Sequence, residues 1–150
     1  MNMEENINLA SLVESMLYGI AITKEPGRYA DAKYAVSMDI EDNDGNHWAL
    51  AANGVSHLDI NGLCIQNIIH EVFVFEGTSS QDEEVRHKVF RLLHGRDPEN
   101  FEDDWRWKLV EETAQTMATG QIRLLEIEPV CGAWVFLIAE SVALQKMAAP

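Results

Sequence analysis

The strictest constraint on the fold is a run of alternating residues interrupted by one tight turn. In residues 33–42, Tyr34, Val36, Met38 and Ile40 fall on one side and Ala35, Ser37, Asp39 and Glu41 on the other. Strand side chains alternate between faces, so this segment reads as a strand with one dry and one wet face. Asn43-Asp44-Gly45-Asn46 follows as a hairpin turn signal. The chain returns through His47-Trp48-Ala49-Leu50-Ala51-Ala52, with Trp48, Leu50 and Ala52 on one face. A chain built around this hairpin carries an antiparallel sheet whose apolar face must be covered.

The other elements are read from spacing and breakers. Ile7, Ala10, Val13, Leu17 and Ile20 recur at threes and fours, widened by Leu9 and Met16, which predicts a helix over 6–22. Lys24-Glu25-Pro26-Gly27 would end it. Asn53-Gly54 and Asn61-Gly62 read as turns bounding a short strand over 55–60. Residues 63–76 fit a strand through Val72-Phe73-Val74-Phe75, although Ile65, Ile68, Ile69 and Val72 also fit a helical stripe. Ser80 and Glu83 make a capping-box pattern for a helix running to about His94 and stopped by Gly95. Asp97-Pro98 then opens a second helix over 98–118, stopped by Thr119-Gly120. A last hairpin pairs 121–128 with 133–142, and the tail 143–150 reads as a frayed helical turn. Segregated runs of strands and helices point to an α+β fold. The expectation is one domain over 1–150: an antiparallel sheet of about five strands, covered by an N-terminal helix and two consecutive central helices.

Function is constrained mainly by charge. The chain has 25 Asp plus Glu against 11 Lys plus Arg, a net charge of −14. A phosphate-backbone ligand requires basic groups to displace its counterions, so direct nucleic-acid binding is disfavoured. A basic protein is the complementary partner. The acidity is distributed: residues 1–75 hold 11 acids and 3 bases, and residues 76–150 hold 14 acids and 8 bases. The acidic N-terminus is unlike a secretory signal, and no apolar run is long enough to span a bilayer, which leads to a cytoplasmic expectation with no membrane partner. Cys64 and Cys131 lie in apolar runs and read as small buried residues.

No recognised catalytic spacing is present. There is no His-Glu-x-x-His, no Gly-x-Ser-x-Gly and no Gly-rich phosphate loop. His87 and His94 share a helix face without further ligands, so no metal or cofactor is expected. The most unusual stretch is Glu99-Asn100-Phe101-Glu102-Asp103-Asp104-Trp105-Arg106-Trp107, where carboxylates interleave with aromatics. On a helix, Trp107, Val110, Ala114 and Met117 share one side. Phe101, Trp105 and Leu109 lie nearly opposite, with Glu102 and Glu112 close by. Aromatics usually end in cores, so the same spacing also fits a helix buried on two sides, with Trp105 tucked under a loop or a neighbouring helix. Exposed, an aromatic anchor rimmed by carboxylates has the composition of a docking site for a basic partner. The candidate partner-binding residues are Glu99, Phe101, Glu102, Asp103, Asp104, Trp105 and Glu112. The expected role is non-catalytic: a stoichiometric inhibitor of the immunity-protein or antitoxin type, monomer or homodimer, masking a basic toxin or nuclease-like effector. Two alternatives stand beside it. One is a small α+β enzyme or ligand-binding domain using His57, His70 and Trp48, and the other is an acidic adaptor or secretion chaperone.

Overall fold

The structure, a computed structural model, describes residues 9–27, 31–101 and 104–148. A short 3-10 turn, Leu9–Leu12, precedes β1 (Met16–Lys24), β2 (Tyr34–Glu41), β3 (His47–Val55), β4 (His57–Asn61) and β5 (Asn67–Phe75). A second 3-10 turn, Gly77–Gln81, leads into α1 (Glu83–His94) and α2 (Asp104–Ala118), and β6 (Arg123–Cys131), β7 (Trp134–Ala139) and β8 (Ser141–Lys146) complete the chain. All pairings are antiparallel, in the order β4-β7-β6-β5-β1-β2-β3-β8.

That order closes on itself. β3 runs into β4 with only Ser56 between them, and β7 runs into β8 with only Glu140 between them. The ladder continues across both joints, since Ser56 N–H donates to Ile138 O at 3.0 Å and Glu140 N–H donates to Asn53 O at 3.0 Å. The two ends of the strand order are therefore halves of the same two long strands, and six chain runs form a closed barrel. Closure leaves none of the six runs with a fully open edge, although β4 and β8 each keep one side without a strand partner and β1 meets β5 at only two residues.

The barrel interior is one apolar cluster. Val36, Met38, Ile40, Leu50, Ala52, Leu125, Ile127, Val135 and Leu137 are buried within it. Alternation turns the neighbouring residues outward, and Leu124 and Ile138 form a second cluster with Val85, Val89, Phe90, Val110 and Met117 of the helices. The helices thus cover the outer face of β6 and β7. Each buried Leu, Ile, Val, Phe or Met side chain stabilises the fold by about 1.5–3 kcal/mol. The central hairpin agrees with expectation: Ile40 pairs with Trp48 and Met38 with Leu50.

Six local expectations are corrected, and with them the expectation of about five strands under three helices. The sheet has eight strands, and α1 and α2 are the α-helices among the described residues. The predicted N-terminal helix over 6–22 is, where described, a 3-10 turn followed by β1; residues 6–8 lie outside the described residues. Its helical periodicity joined the two elements. Gly19 disfavours a helix, Tyr18, Ile20, Ile22 and Thr23 favour a strand, and β2 offers a full-length partner, from Met16↔Glu41 to Lys24↔Tyr34. The predicted helical tail is β8, which pairs with β3 from Asn53↔Ser141 to Trp48↔Lys146 and buries Val142; residues 149–150 lie outside the described residues. Asn53-Gly54 is a bend within a long strand rather than a turn, with Gly54 at φ 62° and Glu140 packed where a Cβ would sit. Ser80 is buried in the 3-10 turn, and the residue preceding α1 is Asp82, so no capping box forms. Residues 97–101 are non-helical, and α2 starts at Asp104 rather than Pro98. Cys64 and Cys131 are exposed rather than buried: Cys64 sits in the connection before β5, and Cys131 is the last residue of β6.

Candidate functional site

α2 has two unlike faces. Val110, Ala114 and Met117 are buried, and Trp107 packs its ring 5.0 Å from that of Phe90 on α1. This is the face the spacing assigned to the core. On the other side Trp105 is 54% exposed and Leu109 41%, and Phe101, just ahead of the helix, is 98% exposed. Large apolar groups normally leave water, so an exposed aromatic stripe opposite a satisfied core face is the feature most in need of an explanation.

Trp105 and Leu109 border a cleft of about 590 Å³. Its remaining walls are Leu93 and His94 from the end of α1, Glu112, Thr113 and Thr116 from α2, Ile122, and His57 from β4. α1 ends in place because Gly95 adopts φ 72° and its N–H donates to Arg91 O at 2.8 Å. That stop leaves His94 between two aromatics, 4.5 Å from Phe90 and 5.8 Å from Trp105 by ring centroids. The Thr113 and Thr116 hydroxyls donate to the Leu109 and Glu112 carbonyls at 2.9 and 3.0 Å. His57 shares a hydrogen bond with Ser56 Oγ at 2.9 Å, and burial lowers its imidazole from the ordinary 6.5, favouring the neutral form. The cleft offers apolar walls, two imidazoles and one carboxylate, which suits an amphipathic group of positive charge.

The predicted site residues come together only in part. Trp105 and Glu112 line the cleft, and Phe101 extends the exposed stripe. Asp104 is exposed in the first turn of α2, where it complements the helix dipole. Glu99 is exposed outside the cleft, and Glu102 and Asp103 lie outside the described residues. The carboxylates do not stand alone. Lys108 Nζ lies 4.0 Å from Glu112, Arg86 pairs with Glu111, Arg91 Nη1 lies 3.9 Å from Asp97, and the Arg106 guanidinium sits 4.4 Å over the Trp105 ring. Residues 83–123 contain 9 acids and 7 bases, whereas residues 34–82 contain 8 acids and no Lys or Arg. The surplus negative charge therefore belongs to the barrel more than to the helices.

Of the residues suggested for an enzymatic alternative, His57 lines the cleft and the other two do not. His70 is exposed on β5, and the Trp48 indole donates to Asp42 Oδ2 at 2.9 Å in the central hairpin. Among the described residues no three His, Cys, Asp or Glu side chains are grouped to hold a metal. The sequence reading missed Glu126, which is 1% exposed and accepts from Lys88 Nζ at 2.7 Å and Trp134 Nε1 at 2.8 Å. Its signal was an acid inside the apolar run Leu124-Leu125-Glu126-Ile127. His57 carried no comparable signal, because the cleft joins β4 to residues of α1 and α2 that lie 36 or more positions away.

No family model matches the chain, and neither a curated protein nor a solved structure matches it. No helix among the described residues is long and apolar enough to cross a membrane.

Proposed function

We propose that this chain is a protein-binding module of the stoichiometric-inhibitor kind, in which α2 docks a basic partner. The observation that carries the reading is the exposed pair Trp105 and Leu109, with exposed Phe101 just ahead of α2, a helix whose other face already fills the core. Exposed Trp beside a concave apolar cleft is the arrangement of an interface hot spot. The charge contribution differs from the one the sequence suggested. Ion pairs neutralise much of the local acidity around α2, so the net charge of −14 acts over distance, raising the encounter rate with a cation. The anchor then supplies affinity through burial of the aromatic. A basic effector is the partner class that uses both.

The test compares wild type with Trp105→Ala in capture experiments eluted by salt. A basic protein held near one to one by wild type should bind Trp105→Ala about 2 kcal/mol more weakly, with the variant's thermal transition unchanged. Unfolding of Trp105→Ala would make the residue structural and remove the basis of the reading. A second reading, a small-ligand or enzymatic cleft, draws on His57, whose imidazole is lowered by burial and which lines the same cavity as Glu112. Saturable quenching of Trp105 fluorescence by a small cationic amphiphile, with no protein partner recovered, would favour that reading.

A further inference from the structure

Cys64 and Cys131 are 67 positions apart, yet the fold brings both sulfurs to a single atom. Cys64 Sγ lies 2.9 Å from Gln66 O, and Cys131 Sγ lies 3.9 Å from the same oxygen. Both thiols are free and exposed. Cys131 ends β6, pairing with Ile68 at the start of β5, whereas Cys64 sits in the connection 62–66, which forms no strand or helix.

Asn67 is the reason the two meet. This side chain is 4% exposed. Its Oδ1 accepts from Cys64 N at 3.0 Å and from Ala133 N at 2.9 Å, so one oxygen clamps both connections. Its Nδ2 donates to Cys64 O at 2.6 Å and to Leu17 O at 3.2 Å. Gly132 completes the approach: at φ 88° it brings the β6–β7 turn so close that an added Cβ would lie 2.8 Å from Asn67 Cα and 2.9 Å from Gln66 O. Asn67 holds the backbone of both connections, so the two exposed sulfurs approach disulfide geometry chiefly by rotation of their side chains about a shared carbonyl oxygen.

We propose that Cys64 and Cys131 form a peroxide-oxidisable thiol pair that closes to an intramolecular disulfide in the native protein. In the first step one thiolate sulfur attacks a peroxide oxygen. The O–O bond breaks, hydroxide leaves and takes up a proton as water, and the sulfur becomes a sulfenic acid. In the second step the other thiolate attacks that sulfur. The S–O bond breaks, a second water forms on protonation, and the S–S bond is made. Two thiols are oxidised and one hydrogen peroxide is reduced to two waters. The product ties the connection carrying exposed Leu63 and Ile65 to the end of β6 carrying exposed Val130, and so fixes the apolar surface at that end of the barrel. This inference is independent of the α2 reading, whose cleft contains neither cysteine.

The test treats the full-length reduced chain with hydrogen peroxide, under native conditions and in denaturing urea, and follows the product by mass spectrometry and peptide mapping. The expected native product is a monomer lighter by two hydrogens, with the Cys64 and Cys131 peptides crosslinked. It should form at least about tenfold faster than in urea, where an open loop must first close. Cys64→Ser and Cys131→Ser should each abolish the crosslink while keeping the wild-type thermal transition. Hydrogen exchange across 62–66 should slow on oxidation. Separate sulfinic or sulfonic acids on the two cysteines, chain-to-chain dimers, or a native rate no faster than the denatured one would each overturn the proposal.

Discussion

Individual polar residues hold positions that apolar packing leaves open. Asn67 serves four backbone groups from three parts of the chain, so its loss leaves several donors and acceptors unpaired in a buried place. Asn67→Ala should destabilise the protein by about 3 kcal/mol in urea titration, more than a typical surface change. Asp42 acts similarly in the central hairpin. The Trp48 indole donates to it, and the Asn46 and Asp44 N–H groups and the Asn46 amide add to the effect. The Trp48 hydrogen bond is the largest cause and outweighs the opposing effect of burial, so the Asp42 carboxyl is lowered from 3.8 to about 2. A carboxyl depressed by folding stabilises the native state above its unfolded value. That contribution is fully present above about pH 4 and is lost as pH falls from there toward about 2. Asp42→Asn should therefore flatten the stability profile between those values while leaving the acid limb below them parallel, as read from urea midpoints. Lys88 shows the opposite case. Burial alone would lower its ammonium, but Glu126 and Glu84 more than offset this and raise it above 10.5. Its contribution is present below 10.5 and is lost as pH rises through the raised native value.

At the scale of elements, α2 separates structure from function by face. Trp107 packs between His87 and Phe90, and Trp105 stands two residues earlier on the open side. Trp107→Ala should lower stability by about 3 kcal/mol, because truncating a packed aromatic leaves a cavity. Trp105→Ala should shift the thermal transition little and weaken docking instead. If both substitutions cost the same stability, the helix has one structural role and no free face. The Lys88–Glu126–Trp134 cluster ties α1 to the outer face of β6 and β7, with Glu84 adding a second carboxylate 3.1 Å from Lys88. Glu126→Ala should cost about 2–3 kcal/mol, below the range for a fully buried pair because Lys88 retains Glu84 and some water.

The whole molecule depends on barrel closure. β8 is only six residues long, yet it pairs with β3 and covers the core around Val142. Truncation after Glu140 should expose β3 as an unpaired edge. The expected outcome is a molten or self-associating chain by size-exclusion chromatography and near-ultraviolet circular dichroism, rather than a slightly weaker monomer. Net charge also operates at this scale. If α2 docks a cation steered by the field of the barrel, the association rate should fall steeply between low and physiological salt while dissociation changes less.

Local order was readable wherever neighbours in sequence supply the cause. The central hairpin follows from alternation plus Asn43-Asp44-Gly45-Asn46, the end of α1 from Gly95, and the opposition of Trp107, Val110, Ala114 and Met117 to Trp105 and Leu109 on α2 from helical spacing. Distant partners decided the rest. Residues 16–22 fit a helical stripe and 143–150 read as a helical turn, yet Met16–Lys24 and Ser141–Lys146 are strands because β2 and β3 present unpaired backbone to them. Asn53-Gly54 is a bend rather than a turn because the opposite strand bends at Glu140 and keeps the ladder intact. The cleft shared by Trp105, Glu112 and His57, and the oxygen shared by Cys64 and Cys131, join residues no local pattern connects. Periodicity tells a segment which of its faces is apolar; the surface that face meets, and the backbone groups left over to pair with it, exist only after the barrel has closed.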